Sequence, residues 1–375
     1  MFYIFAVILP LVVLAFLLVS IVTYYKLWRD FKLPRLIYWL IQAILIALFV
    51  VCLVFSGNTS GFLHKAMLFY SAAYFVVIIY SSVIFILSAV ISLLAGKFSP
   101  TSKFSRLIKH KKILPLATLC LTLVLSVSGY INMGILCEKD INIELDEAST
   151  NDSLTAVMIS DTHLGTGLLS DKLDDLVDSI NSMEPDVIFM VGDIIDESTS
   201  NADISTMIAE FSRLESRYGT FFVYGNHEYY ISSPEVDSYF EQAGITVLRD
   251  EAVTIADDIT IIGRKSYYEN PMPVEEIIEE NNIDESNPII VLAHEPLGLE
   301  DLSLTGADLS FSGHTHGEQF PLIYSFMAIA NDMVYGIAQF NDMTAYTSSG
   351  AGGWGMHFKL PSNSEIVKAQ MTFNS

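Results

Sequence analysis

Five short motifs follow residue 155 of this 375-residue chain. They are Asp161-Thr162-His163, Gly192-Asp193-Ile194-Ile195-Asp196, Gly225-Asn226-His227-Glu228, Ala293-His294-Glu295 and Gly313-His314-Thr315-His316. Five of the eight histidines fall inside them. Asp, His and Asn side chains at these intervals suit a pair of divalent metal ions that share one carboxylate. Such a pair addresses one chemical problem well. A phosphate ester is negatively charged and repels nucleophiles. Two cations neutralise that charge, lower the pKa of a bridging water and align attack opposite the leaving group. The motifs therefore point to hydrolysis of a phosphate ester or pyrophosphate by a metal-bridging hydroxide.

In this reading Asp161, His163 and His316 hold one ion, Asn226, His294 and His314 hold the other, and Asp193 bridges. His227 remains free as a general acid toward the leaving oxygen, so His227 and Asp193 carry the catalysis. Asp196 and Glu228 orient neighbouring groups. Mn, Fe, Zn and Co all accept such ligands, which leaves the metal open.

The elements that must position these residues alternate between strand-like and helix-like patterns. Strands are expected at 154–160, 187–191 and 221–224, with helices at 171–183 and 203–216 between them. Later segments are mostly strands, at 245–248, 252–256, 259–263, 289–293, 308–312, 343–347 and 365–372. Each motif then sits at the carboxyl end of a strand, where open α/β sheets place their sites. Gly192, Gly225 and Gly313 precede ligands and are expected to permit tight turns.

The five motifs, in this order and with glycine before three of them, resemble the calcineurin-like metallophosphoesterases. The resemblance covers roughly residues 154–372. It implies a four-layer α/β/β/α sandwich, a metal pair and the same ligand roles as above. Within the family the chain is most similar to the membrane-tethered members with an N-terminal multi-span region. The Gly313–Gly317 stretch and Ser349-Gly350-Ala351-Gly352-Gly353 carry that likeness. Glu318 departs from it, standing where many relatives have a second glycine.

The N-terminal part has a different character. Apolar runs at 2–25, 36–55, 66–96 and 113–134 carry no charge, and each is long enough to span a bilayer as a helix. The expected organisation is a membrane domain over 1–134 with four transmembrane helices, a polar linker over 135–153 and the metallophosphoesterase domain over 154–375. The first run has no basic stretch before it and no small-residue cleavage site after it, which reads as a span rather than a signal peptide. Lys26, Arg29, Lys32 and Arg35 follow the first run, and Lys97, Lys103, Arg106, Lys109, Lys111 and Lys112 the third; the second loop holds only Lys65. Loops one and three are thus expected in the cytoplasm and the catalytic domain outside it.

Charge divides the same way. Up to residue 139 there are twelve Lys and Arg against two acids; beyond it, eight against 41. So acidic a domain is not expected to bind nucleic acid. Cys52, Cys120 and Cys137 form no disulfide framework. The partners expected are the lipid bilayer and a phosphate-ester substrate, lipid-linked or from the cell envelope, with a soluble nucleotide as runner-up. Runs without ionisable residues argue against a transporter. A non-catalytic metal-binding sensor is the alternative, and retention of His227 argues against it. Outside the motifs, Arg264 and Lys265 form the one adjacent basic pair in the acidic domain and could greet an anionic substrate, though a local salt bridge is the plainer reading. Tyr229 and Tyr230 could stack on a base or sugar. His357, beside Trp354, is expected to be structural or to line the cleft; His64 and His110 lie in membrane loops.

Overall fold

A computed structural model describes residues 2–32, 34–56, 59, 61–98, 113–317, 319–320, 324–360 and 362–374. Lys103, Arg106, Lys109, His110, Lys111, Lys112 and Glu318 lie outside the described residues. The chain divides into two compact units, Met1–Tyr130 and Ile131–Ser375.

The first unit is helical: α1 (Phe2–Asp30), α2 (Arg35–Phe55), α3 (Gly61–Phe98) and the larger part of α4 (Ile113–Met133). Three stretches, Arg35–Phe55, Gly61–Ile91 and Ile113–Met133, are long and apolar enough to cross a membrane among the residues searched. Their polar groups turn inward. The Ser82 hydroxyl donates to the Phe16 carbonyl at 2.6 Å and the Tyr70 hydroxyl to the Leu45 carbonyl at 2.8 Å. Leu and Ile such as Leu36, Ile44 and Leu93 instead face outward, the distribution a hydrocarbon solvent favours.

The second unit holds two six-stranded sheets. One has the order β1 (Leu136–Ala148), β12 (Ser364–Asn374), β2 (Ser153–Ile159), β3 (Val187–Val191), β4 (Thr220–Val223), β5 (Thr246–Leu248). The other runs β10 (Gly336–Phe340), β11 (Met343–Thr347), β9 (Leu309–Ser312), β8 (Ile289–Leu292), β7 (Ile259–Gly263), β6 (Glu251–Ile255). Strands β2 to β5 are mutually parallel, as are β7, β8, β9 and β11.

Side chains alternate across each strand and so sort into separate cores. From β2 and β3, Leu154, Ala156, Met158, Val187, Phe189 and Val191 join Ile261, Ile290, Leu292, Leu309 and Phe311 of the second sheet in one cluster. The intervening Val157, Ile159, Ile188 and Met190 pack instead with α5 (Leu173–Ser182), α6 (Asn201–Phe211) and α8 (Val236–Gln242). Ile289 and Val291 meet α9 (Val274–Asn281) and α10 (Leu299–Leu302) in a third. Leu173, Leu176, Val177 and Ile180 of α5 are fully buried on one face, as their spacing predicts. α6 begins where Ser200 and Asp203 form a reciprocal capping box.

One sequence expectation is corrected here. Residues 136–148, read as a polar connector, form β1, paired in parallel with β12 from Leu136↔Ser364 to Leu145↔Phe373. Ile141, Ile143 and Leu145 point toward the core and Asp140, Asn142 and Glu144 away from it. The segment is polar by composition but alternates with period two, and its outer face is the polar one.

Candidate metal centre

Each motif leaves the end of a strand. Asp161 and His163 follow β2, Asp193 follows β3, Asn226 follows β4 and opens α7 (Asn226–Ile231), His294 follows β8, and His314 and His316 follow β9. The backbone bends sharply at these points. Asp161, His163, Asp193, His314 and His316 all hold left-handed φ, between 41° and 69°. Non-glycine residues avoid that region at a cost of order 1–3 kcal/mol each, and such residues cluster at functional sites. The glycines act differently from the expectation of three tight turns. Gly192 does have positive φ, at 74°. Gly225 and Gly313 are instead needed for close approach, because a Cβ would collide with the carboxylate of Asp193 at the first and of Asp161 at the second.

The side chains converge. Asp161, His163 and His316 form one group able to hold an ion; Asp193, His294 and His314 form another; and Asp193 also groups with His163 and His227. His163 Nε2 lies 3.6 Å and His294 Nε2 3.0 Å from the same Asp193 oxygen. His316 Nδ1 lies 3.8 Å and His294 Nε2 3.9 Å from Asp161 Oδ1. Asp161, His163, Asp193 and His294 are essentially inaccessible, whereas His227, His314 and His316 are partly open to solvent. Among the buried side-chain atoms without a hydrogen-bond partner in the described residues are His163 Nε2, His316 Nδ1 and Asn226 Oδ1, and His294 Nε2, 3.0 Å from Asp193, makes no well-aligned hydrogen bond. Each belongs to a residue in the expected ligand set. Unpartnered buried polar atoms are rare and costly, and lone pairs aimed into one space fit a bound cation.

Supporting contacts fix these groups. His163 Nδ1 meets Asp196 Oδ2 at 3.1 Å and His294 Nδ1 meets the Val191 carbonyl at 2.7 Å, so each ring turns its other nitrogen inward. The Asp161 carboxylate accepts the His314 backbone N–H at 3.0 Å, and Asp193 accepts that of His227 at 2.9 Å. Burial opposes ionisation of Asp193, but His294, His163 and His227 outweigh it and hold the carboxyl well below its usual range. Glu228 is 1 % exposed. It accepts four backbone N–H groups, from Asp193, Ile194, Ile195 and Gly225, at 2.7–3.0 Å. Glu228 thereby ties the Asp193 loop to the Asn226 loop.

His227 Nδ1 pairs with Glu197 Oε2 at 2.7 Å. Burial disfavours the charged imidazole, but Glu197, with Asp193 and Asp196, overcomes this and pushes it up to about 9. Glu197 was not singled out from sequence; a carboxylate directly after the Gly192–Asp196 motif is the signal it offers. Lys359 was missed too. It is fully buried, donates to the carbonyls of Ser349, Gly350 and Gly352, and so holds the glycine-rich loop whose Gly350 abuts Asp161. Its single basic residue between apolar neighbours carries no local signal.

Other expectations resolve plainly. Lys265 bridges to Asp250 at 3.3 Å, the local salt bridge, and Arg264 is partly buried with Nε unpartnered. His357 Nδ1 lies 2.9 Å from the Gly167 carbonyl, a structural contact between two loops. His64 Nδ1 lies 2.9 Å from the Ser56 carbonyl.

The family model for calcineurin-like phosphoesterases matches residues 154–318, the stretch that contains all five motifs. This domain belongs to the calcineurin-like phosphoesterase family. The chain is similar to a metallophosphoesterase of Helicobacter pylori, 31% identical over 236 residues, covering 61% of this chain and 62% of that one. It is also similar to a metallophosphoesterase of Campylobacter jejuni, 28% identical over 372 residues, 95% of this chain and 96% of the other. A transmembrane protein with metallophosphoesterase domain from Bos taurus is 32% identical over 280 residues, 68% of this chain and 61% of that one. The chain thus spans somewhat under two thirds of the Helicobacter and bovine phosphoesterases and nearly all of the Campylobacter one. The bovine relative's name and the three apolar helices here agree on membrane association.

Proposed function

We propose that this chain is a membrane-anchored phosphoesterase that hydrolyses a phosphate ester at a dinuclear metal centre. The observation that carries the reading is the convergence of buried ligand groups from separate strand ends: His163, His294 and His314 gather at the carboxylate of Asp193, and His163 and His316 at that of Asp161. In the proposed assignment Asp161, His163 and His316 hold one divalent ion, Asn226, His294 and His314 the second, and Asp193 touches both. Ions bound there would neutralise the phosphate and activate water. The chain's own residues do the rest. Asp196 and the Val191 carbonyl aim two of the imidazoles, and Glu228 fixes the loop that bears Asp193. His227, held by Glu197, donates a proton to the leaving oxygen.

The finer reading includes a four-layer α/β/β/α domain behind four spans. Basic residues after the first and third apolar runs favour an extracytoplasmic catalytic domain, and the anchor favours a lipid-linked or cell-envelope phosphate. The test is turnover of bis-p-nitrophenyl phosphate by full-length protein in detergent with Mn²⁺. Wild type is expected to hydrolyse this phosphodiester and Asp193→Asn to be silent. Equal rates in the two would sink the assignment.

A further inference from the structure

The metal ligands leave unexplained an aromatic arc that begins at His227. The Tyr230 ring lies 5.8 Å from the imidazole and the Trp354 ring 5.9 Å from it. From Tyr230 the arc continues to Tyr268 at 5.8 Å and then to Tyr267 at 6.0 Å. Trp354, Tyr268 and Tyr267 are 51, 45 and 58 % exposed. Large rings left half in water around one catalytic group offer faces for a ligand to cover. Tyr230 also borders a cavity of about 260 Å³, lined further by Ile195, Ile204, Ile231, Tyr239 and Glu197. Glu197 is the carboxylate that holds His227. The cavity and the arc therefore share Tyr230, and the cavity wall reaches His227 through Glu197.

Charge and size narrow what fits. Asp196 and Glu197 are the carboxylates lining the cavity, and no Lys or Arg lines it among the described residues. Lys265 pairs with Asp250 and Arg249 with Glu269, and neither these nor Arg264, whose Nε is unpartnered, line the cavity. A leaving group bearing a second phosphate would be repelled. The volume of about 260 Å³ is large enough for one ring.

We propose that the substrate is a phosphate ester whose leaving group carries an uncharged planar ring, seated beside Tyr230 and stacked on the arc. This inference rests on the phosphoesterase reading above. In the reaction, water oxygen bonds to phosphorus and gives a proton to solvent. The ester P–O bond breaks, and the ring-bearing alcohol leaves with the proton of His227, which solvent restores.

The test compares release of benzyl alcohol and of n-butanol from their phosphates, as monoesters and as methyl diesters, by metal-loaded full-length protein. The two alcohols leave with similar ease, so kcat/KM reports recognition. Wild type is expected to favour the benzyl ester by about tenfold, in the range of an aromatic stacking contact. Tyr268→Leu, at an exposed position, is expected to collapse that preference. Hydrolysis of both esters at equal efficiency, or an unchanged preference in Tyr268→Leu, overturns this inference alone. Silence toward every ester overturns the phosphoesterase reading and this inference with it.

Discussion

Replacing Glu228 by Gln tests how the centre is held together. The carboxylate is buried, with Oε2 accepting from the backbone of Asp193 at 2.8 Å and Gly225 at 2.9 Å, and Oε1 from Ile194 at 2.7 Å and Ile195 at 3.0 Å. Glutamine keeps the shape but has one carbonyl oxygen. Whichever way its amide turns, an NH₂ group faces two N–H donors. Two hydrogen bonds to a charged acceptor are lost, each worth about 1.5–3 kcal/mol. Against this, burial and the Asp193 carboxylate push the Glu228 carboxyl up to about 7, and a neutral amide relieves part of that tension. The net cost comes to about 3 kcal/mol. For a domain of this size each kcal/mol shifts Tm by about 2–4 °C, so the expected drop is about 6–12 °C. The assay is thermal unfolding of EDTA-treated full-length protein in detergent, followed by intrinsic fluorescence. Glu197→Gln, at a half-exposed carboxylate, is the control and is expected to stay within about 2 °C of wild type. A Glu228→Gln variant that unfolds with the control would refute the four-donor account.

Three further outcomes follow from the same geometry. His227→Ala is expected to lower kcat by about 10²–10⁴ while metal content stays at the wild-type level; loss of metal would make His227 a ligand instead of the acid. Burial, with Glu147 nearby, pushes the Asp308 carboxyl up to about 8, above its unfolded value of about 3.9. Its contribution to stability is therefore full below about pH 4 and is lost as pH rises through about 8. The Tm of EDTA-treated protein should fall between pH 5 and 8.5, and fall less steeply in Asp308→Asn; parallel slopes would remove Asp308 as the cause. In Gly313→Ala the new methyl meets the Asp161 carboxylate and Ser160, so metal affinity by calorimetric titration is expected to weaken about tenfold or more, and unchanged affinity would show that the loop gives way freely.

The candidate ligand set was legible because each residue declares its chemistry and lies just past a strand whose apolar run is easy to see. Asp161 after Ser153–Ile159 and His294 after Ile289–Leu292 are examples. Helices α5 and α6 were legible from one-sided apolar spacing. What escaped depends on tertiary partners. β1 hides its alternation under a polar composition, and its pairing partner lies at the other end of the chain. Lys359 is recognisable only once the Ser349 to Gly352 carbonyls surround its ammonium. Glu197 gains meaning from a histidine thirty residues on. The roles of Gly225 and Gly313 were misjudged because sequence reveals a missing Cβ but not the carboxylate that needs the space.

The most direct test of the central claim is the metal content of full-length protein, stripped, reloaded and counted by mass spectrometry of the metal, beside Asp193→Asn. The account predicts two ions per chain in wild type and fewer than two in the variant. A wild-type chain that hydrolyses phosphodiesters with one ion or none, or an Asp193→Asn chain that retains two, would contradict it.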